Sequence, residues 1–342
     1  MFTERSAPKF WYQPLNWKSK SLLLFSFFYR SVIFIRYHGY RLKFIKKKLF
    51  NIPIIIVGNV TVGGTGKTPL VIELFEYLKQ NGFAPGIVSR GYGGIIKKNP
   101  EIVNKDSSFK RVGDEAILLA KKTNAPVVIG QDRPRAVEWL LRHFNCNVVI
   151  CDDGLQHYAL ERDIEIVVVD GGRGFGNRQC LPAGPLREPI NRLDRADFVI
   201  FNQPSQKGDD QKSYIMQLHL QTACSLLQPH ERLNLETLKG QVVHAIAGTG
   251  HPERFFYQLE SMGIIVKPHP FPDHYLFQPD DLQFDDEELI LMTEKDAVKC
   301  HSFANNRMFF VPVETILSDN FRRDILSCLT FVARSVNKEL LN

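Results

Sequence analysis

Thr61-Val62-Gly63-Gly64-Thr65-Gly66-Lys67-Thr68 is the part of this sequence whose residue types and spacing point most directly to chemistry. Glycines let successive backbone N–H groups turn inward around phosphate oxygens. A lysine at the end of such a loop reaches the β- and γ-phosphates of a nucleotide, and the hydroxyl after it ligates Mg²⁺. The flanks supply the context this chemistry needs. Asn51–Asn59 reads NIPIIIVGN, a β-branched run that predicts a buried strand. After Pro69, Leu70, Val71, Leu74, Phe75 and Leu78 recur at helical spacing, so a helix N-terminus adds its partial positive charge to the loop. The pattern GxxxxGK[ST] asks for glycine at position 61. This chain has Thr61 there, and Gly58, Gly63 and Gly64 supply the freedom instead.

A nucleotide loop needs acids beside it, and two strand ends offer them. Val148–Cys151 leads into Asp152 and Asp153, and Ile164–Val169 ends at Asp170. Adjacent carboxylates repel unless a cation sits between them, which favours the first pair without settling the choice. Asp114 and Glu115 open another predicted helix, a placement that the helix dipole explains by itself. His157, after Asp152-Asp153-Gly154, reads locally as a structural histidine.

The elements that must hold these groups alternate. Strands are predicted at Pro85–Ser89, Pro126–Ile129, 197–202, Val242–Ala247, Ile264–Val266, 289–292 and 308–313, with helices between many of them. Alternation of this kind implies parallel sheets. With 342 residues, 44% hydrophobic and 23% charged, the chain is an ordinary globular one with room for two domains. The six cysteines form no CxxC and no zinc-type cluster, and read as reduced thiols of a cytosolic setting. No apolar run is long enough for a spanning helix.

Charge is uneven. Overall it is +6, yet residues 1–50 hold eleven Lys and Arg against the single acid Glu4, so the rest is net negative. Basic character this local argues against nucleic acid along the whole protein. Leu22–Phe28 and Val32–Ile35 crowd the same segment with apolar and aromatic side chains. Two readings fit: a helix lying in a membrane interface, or a helix packed on the core with a solvated basic end.

Taken as an ordered set, these motifs resemble the tetraacyldisaccharide 4'-kinase family of Gram-negative bacteria. The resemblance rests on the basic N-terminal segment, Gly58–Pro69 (GNVTVGGTGKTP), Ser89–Gly94 (SRGYGG), Val112–Glu115 (VGDE), Asp152–His157 (DDGLQH), Leu181–Glu188 (LPAGPLRE), Phe271–Tyr275 (FPDHY) and Thr293–Lys299 (TEKDAVK). Thr61 in place of glycine is itself a mark of this family's loop. The resemblance implies transfer of the γ-phosphate of ATP to the 4'-hydroxyl of an acylated glucosamine disaccharide 1-phosphate, giving lipid IVA. It implies Mg²⁺ at Asp152, Asp153 and Thr68, a general base at Asp114 with His274 as its partner, and active-site positions of unassigned role at Glu115, Arg133, Arg135, His157, Arg187 and Glu188. A lipid substrate also implies a peripheral protein on the inner-membrane surface at its cytoplasmic face. A monomer with no nucleic-acid partner is the separate expectation.

The expected fold is α/β: a P-loop NTPase-type parallel sheet core, a second, smaller α/β domain and a basic amphipathic N-terminal helix. The expected division is 1–50 for the membrane-associating segment, 51–202 for the nucleotide core and 203–342 for the domain completing the lipid-substrate cleft, with a polar connection at 203–213. Two other classes remain on sequence grounds: a kinase or ligase for a soluble metabolite, and a membrane-recruited ATPase switch. The switch normally carries a lysine before the glycine pair, and Val62 stands there.

Overall fold

The computed structural model describes residues 7–95, 100–203, 213–228 and 230–339. Most of the expected polar connection, 204–212, and the first six residues of the N-terminal segment lie outside the described residues.

Among the described residues the chain first forms a 3₁₀ turn at Lys9–Tyr12, followed by α1 (Trp17–Ser21) and α2 (Leu23–Arg41). It then runs through β1 (Ile54–Gly58), α3 (Lys67–Gln80), β2 (Pro85–Ser89), β3 (Glu101–Val103), α4 (Phe109–Val112), α5 (Asp114–Thr123), β4 (Val127–Ile129), α6 (Arg133–His143), β5 (Val148–Asp152), β6 (Ile164–Asp170), β7 (Phe198–Asn202) and β8 (Ser213–His219). A second series follows: β9 (Thr222–Ser225), β10 (Arg232–Asn234), β11 (Val242–Ala247), α7 (Pro252–Ser261), β12 (Ile265–Pro270), β13 (Leu289–Thr293), α8 (Glu294–Cys300) and β14 (Met308–Val311). β15 (Glu314–Leu317) and α9 (Asp319–Glu339) close the chain.

Two sheets result. The larger has the order β15-β8-β7-β6-β1-β5-β2-β4-β3 and the smaller β10-β9-β14-β13-β11-β12. In the larger sheet the strands from β8 to β4 are mutually parallel, and the antiparallel β15 and β3 close its edges. Of residues 203–342, those from 222 to 311 supply the strands of the smaller sheet, whereas β8, β15 and α9 belong with the larger.

The period-2 rule sorts the core. Ile55 and Val57 of β1 face a cluster with Leu70 and Leu74 of α3, Leu119 of α5 and Phe321 of α9. Ile54 and Ile56 face the opposite layer with Ala136, Val137 and Leu140 of α6. Strands covered on both faces are continuously apolar, which is why β1 and β5 read as apolar runs and β6 does so after the half-buried Glu165. The smaller sheet has the same two-sided cover: Ala245 and Ala247 pack with Phe255 and Leu259 of α7, and Ile246 and Met292 with Ala297 and Cys300 of α8.

In an open parallel sheet, ligands bind outside the carboxyl ends of the strands. Here those ends are Gly58, Ser89, Ile129, Asp152, Asp170 and Asn202, which gather the motif residues on one edge. The corresponding ends in the smaller sheet lead into Gly248–His251, Phe271–Tyr275 and α8.

Candidate active site

The glycine-rich loop joins β1 to α3, and its shape is fixed from outside. Asn59 Nδ2 donates to Gly63 O at 3.2 Å, Arg173 Nη2 to Gly64 O at 3.2 Å and Asn202 Nδ2 to Thr65 O at 3.0 Å. A planar peptide whose C=O is tied on one side has its N–H fixed on the other. Gly66 has φ +95°, and a Cβ there would stand 2.5 Å from the Asn202 amide, so only glycine fits. Thr61 bridges to Leu186, and Val62 N–H donates to Pro185 O at 2.8 Å, so the Leu181–Glu188 motif lies alongside the loop.

Lys67, the first residue of α3, is 3.3 Å from Asp153 Oδ1, and Arg187 Nη1 meets the same oxygen at 3.2 Å. Burial alone would raise the Asp153 pKa, but these two cations hold it well below the usual carboxylate range. Asp152 is the opposite case. Its Oδ1 is buried with no hydrogen-bond partner in the protein. Burial, then the charges of Glu115 and Asp153, push its pKa up to about 7 against the pull of Lys67 and Arg133. Arg133 is fully buried and donates to the carbonyls of Gly130 and Asp152 (3.1 Å for the latter), which braces the end of β5.

Where the two sheets' lobes meet, His274 Nδ1 lies 2.9 Å from Asp114 Oδ1. The two residues are 160 positions apart and come from different sheets' connections, so the contact exists only because the lobes meet. Their side chains are 3% (Asp114) and 11% (His274) exposed. The Tyr92 ring covers His274, with centroids 4.7 Å apart. Burial works to lower the His274 pKa, but the hydrogen bond and charge of Asp114, helped by Asp273, outweigh it and raise it above the ordinary value. Asp114 is held well below the carboxylate range: burial opposes this, while Lys295, His274 and Lys299 enforce it.

The other expected positions divide. Glu115 pairs with Lys295 at 3.1 Å and so belongs to the same interlobe network as His274. His157 is pushed down to about 4, first by burial and then by Arg133 and Arg90, which makes it a neutral imidazole. Glu188 is buried and bound by Gln156, Tyr158 and Arg192, so it stiffens the loop's support. Arg135 is exposed in the first turn of α6, where its backbone N–H caps onto Asp132. Asp170, the rival strand end, spends its oxygens on Gly172 N–H, Arg173 N–H and the Arg173 guanidinium.

Several residues gain meaning only from the structure. Gly250, in the turn after β11, sits on the glycine-rich loop so closely that a Cβ would be 2.6 Å from Gly64 N. Arg173 donates to both Gly64 O and Gly250 O, and Arg254 of α7 donates to Asn202 Oδ1 at 2.6 Å. The two lobes are therefore joined at the phosphate loop as well as at Asp114. Lys295 and Lys299 stand within TEKDAVK, and their i,i+4 spacing is the only sequence signal that both face one partner.

α2 runs beside this site. Ser26 Oγ donates to Cys180 O at 2.8 Å, and the Tyr29 hydroxyl donates to Arg187 O at 3.1 Å. The opposite side of the helix leaves Leu24, Phe25, Phe27, Phe28, Val32, Phe34 and Ile35 about 60% exposed or more. Among the described residues no helix is long and apolar enough to cross a membrane.

A strand–glycine loop–helix unit ending in Lys67-Thr68, set at the carboxyl edge of a parallel sheet, defines a P-loop nucleotide-binding protein. The family model for tetraacyldisaccharide-1-P 4'-kinase matches residues 18–330. The tetraacyldisaccharide 4'-kinase of Methylobacillus flagellatus is 48% identical over 335 residues, covering 96% of each chain, and that of Coxiella burnetii 47% over 324 residues, covering 95% of each. The crystal structure of LpxK from Aquifex aeolicus in complex with ATP superposes with a TM-score of 0.75 at 31% identity, covering 91% of this chain and 99% of that one. This chain belongs to the tetraacyldisaccharide-1-phosphate 4'-kinase family.

Proposed function

We propose that this chain transfers the γ-phosphoryl group of ATP to the 4'-hydroxyl of a tetraacyldisaccharide 1-phosphate, and that Asp114 and His274 accept the hydroxyl proton. The observation that carries this reading is the 2.9 Å contact between those two residues, made across the cleft that the Lys67 loop borders. A sugar hydroxyl is a poor nucleophile at neutral pH, and a positioned base accelerates its attack. An aspartate held far below neutrality is a weak base alone. His274 shares the proton, and its raised pKa makes it the better acceptor of the two. Because the pair spans both lobes, the base is complete only when they are together, which supports closure as a gate against water.

The glycine loop and the N-terminus of α3 bind the phosphates of ATP. Lys67 and Arg187, which share Asp153 here, lie where they can turn to phosphate oxygens, and both would offset charge on the transferring group. The unpartnered Asp152 Oδ1, with its pKa pushed up to about 7, is an oxygen that a hard cation suits. We assign Mg²⁺ to Asp152, Asp153 and Thr68. Among the described residues no group of three or more His, Cys, Asp or Glu is arranged to hold a metal ion by itself. Mg²⁺ commonly takes only one or two carboxylates and leaves the rest of its shell to phosphates and water. When bound it supplies charge neutralisation and orients the phosphates.

The exposed apolar side of α2, flanked by Lys18, Lys20, Arg41 and Lys46–Lys48, supports a peripheral position at the cytoplasmic face of the inner membrane. The Tyr29–Arg187 bond supports a helix beside the proposed phosphate site, which suits a substrate whose headgroup reacts while its acyl chains stay in lipid. The lobe of residues 222–311 completes the cleft. The deciding experiment is transfer of radiolabelled phosphate from ATP to purified tetraacyldisaccharide 1-phosphate, with soluble sugars as controls. Label in the soluble sugars and none in the lipid would reject the reading.

A further inference from the structure

The groups that face Asp114 come from three directions. His274 comes from the crossover between β12 and β13, Lys295 and Lys299 come from α8, and Glu115 is its neighbour on α5. Asp273 lies behind His274, and Tyr92 covers its ring. Lys295 is shared: its Nζ meets Glu115 at 3.1 Å, Asp273 at 2.9 Å and His274 Nε2 at 3.4 Å.

Lys299 is placed differently. Its side chain is 1% exposed, and its Nζ lies 2.7 Å from Asp296 Oδ1, 3.7 Å from Asp114 Oδ2 and 5.1 Å over the Phe277 ring. Asp296 is itself immobilised, because its Oδ2 accepts Gly248 N–H at 2.8 Å and the Thr293 hydroxyl at 2.6 Å. Those partners are the first residue after β11 and the last of β13, so the ammonium is fixed to the frame of the smaller sheet. A buried lysine needs one carboxylate to balance it. This one has that partner in Asp296 and faces a second carboxylate across the lobe boundary.

Asp114 already has Lys295 and His274 beside it, and Lys299 adds a further positive charge, the one fixed to the sheet frame. Removing a carboxylate from water favours its protonated form, and a protonated Asp114 can take no proton from the substrate. We propose that Lys299, anchored by Asp296, is a positioning residue whose buried ammonium keeps Asp114 ionised and turned to the cleft, a role that rests on Asp114 and His274 accepting the hydroxyl proton. The charge belongs to the lobe that brings His274, so the same closure that assembles the pair also delivers the cation that readies it. The depressed Asp114 carboxyl agrees with this arrangement.

The test is the pH profile of kcat at saturating ATP and lipid across about pH 5.5–9.5. Lys299→Met keeps the buried stem and removes the charge. With that cation gone the pair binds protons more tightly, so the acid limb of kcat moves to higher pH by at least about one unit, a tenfold change in proton affinity. KM for ATP stays within about twofold, because Lys299 is not assigned to the phosphates. An even loss of kcat at every pH, with the limb unmoved, would reduce Lys299 to a packing residue and overturn the proposal. Asp296→Asn provides a second arm that keeps the lysine. Asn keeps the contact at that position and removes the second carboxylate's charge, so the ammonium acts on Asp114 undiminished and the limb moves down; a limb that stays or moves up overturns the proposal even if Lys299→Met does not fold. Asp114→Asn separates the two levels of the argument. If it turns over like the wild type, the dyad itself is wrong. If it is inactive while Lys299→Met keeps the wild-type limb, only the role of Lys299 falls.

Discussion

Replacing Phe25, Phe28 and Phe34 by Ser should detach the protein from membranes without unfolding it. These rings are 60%, 59% and 61% exposed, so they contribute little to the core. Ser and Phe have similar helix propensity, so α2 should persist, still held by Ser26 and Tyr29. An aromatic side chain buries roughly 150–250 Å² in full, which leaves about 100–150 Å² per ring available to lipid. At about 25 cal/mol per Å², immersion of all three contributes at most about 8–11 kcal/mol. Insertion to half that depth still leaves about 4 kcal/mol, roughly a thousandfold in partitioning. Co-sedimentation with neutral and anionic vesicles, at low and high salt, measures the loss directly. The basic flanks add about 1 kcal/mol per engaged residue on anionic lipid, so salt should weaken wild-type binding without abolishing it. Thermal unfolding of the variant should match the wild type, and KM for the acylated substrate should rise more than KM for ATP. Unchanged vesicle binding would refute the interface reading. A collapse in thermal stability would show that the rings are packing residues after all.

Lys67→Ala should lose nearly all turnover while remaining folded, which circular dichroism beside the kinase assay would show, since the Lys67 ammonium pairs with the Asp153 carboxylate rather than packing in the core. Asp152→Ala and Asp153→Ala should each raise the Mg²⁺ concentration needed for half-maximal rate. Asp170→Ala should instead raise KM for ATP, because Asp170 orients the arginine that holds Gly64. Asp114→Ala and His274→Ala should each reduce kcat by about 10²–10⁴, and the double variant should be little worse, as for groups acting as one unit. Multiplicative losses would separate the pair. Turnover should fall as pH drops through a value above the ordinary histidine pKa of about 6.5, because protonated His274 has no capacity for a further proton. A level kcat down to pH 5.5 would contradict that assignment.

The strands under the nucleotide site are legible in the sequence because burial on both faces demands β-branched apolar runs, as in Ile54–Gly58 and residues 166–169 of β6. β8 is not, since Met216 alone of its seven residues is buried and its strand character comes from pairing with β7 and β15. The residue pattern supports a strand only at Ile264–Val266, yet β12 extends to Pro270 through Lys-Pro-His-Pro. Prolines are tolerated there because β12 is an edge strand with one unpaired side. In the site, the loop and the strand-end acids are found by local pattern. His274 reads locally as a turn residue, and only the family resemblance singles it out, because its partner lies 160 positions away. Arg173, Asn202 and Arg254 carry no local signal, because their work is to hold carbonyls and one another across a lobe boundary.

The chain leaves the larger sheet through β8 and re-enters it through β15, and these two strands lie side by side, with His219 opposite Glu314. Everything from 220 to 313 is thus an insertion whose two ends emerge at one point on a sheet edge. Such a lobe has two adjacent tethers and can rock, but it cannot drift away. His274 is consequently presented to Asp114 at an effective concentration set by a short double hinge rather than by diffusion. The same topology means that the insertion could be shortened, exchanged or lost in descent without cutting any strand of the nucleotide sheet. With the acceptor proposed to bind against this lobe, such a change would alter the substrate while the sheet that carries the glycine-rich loop stays as it is.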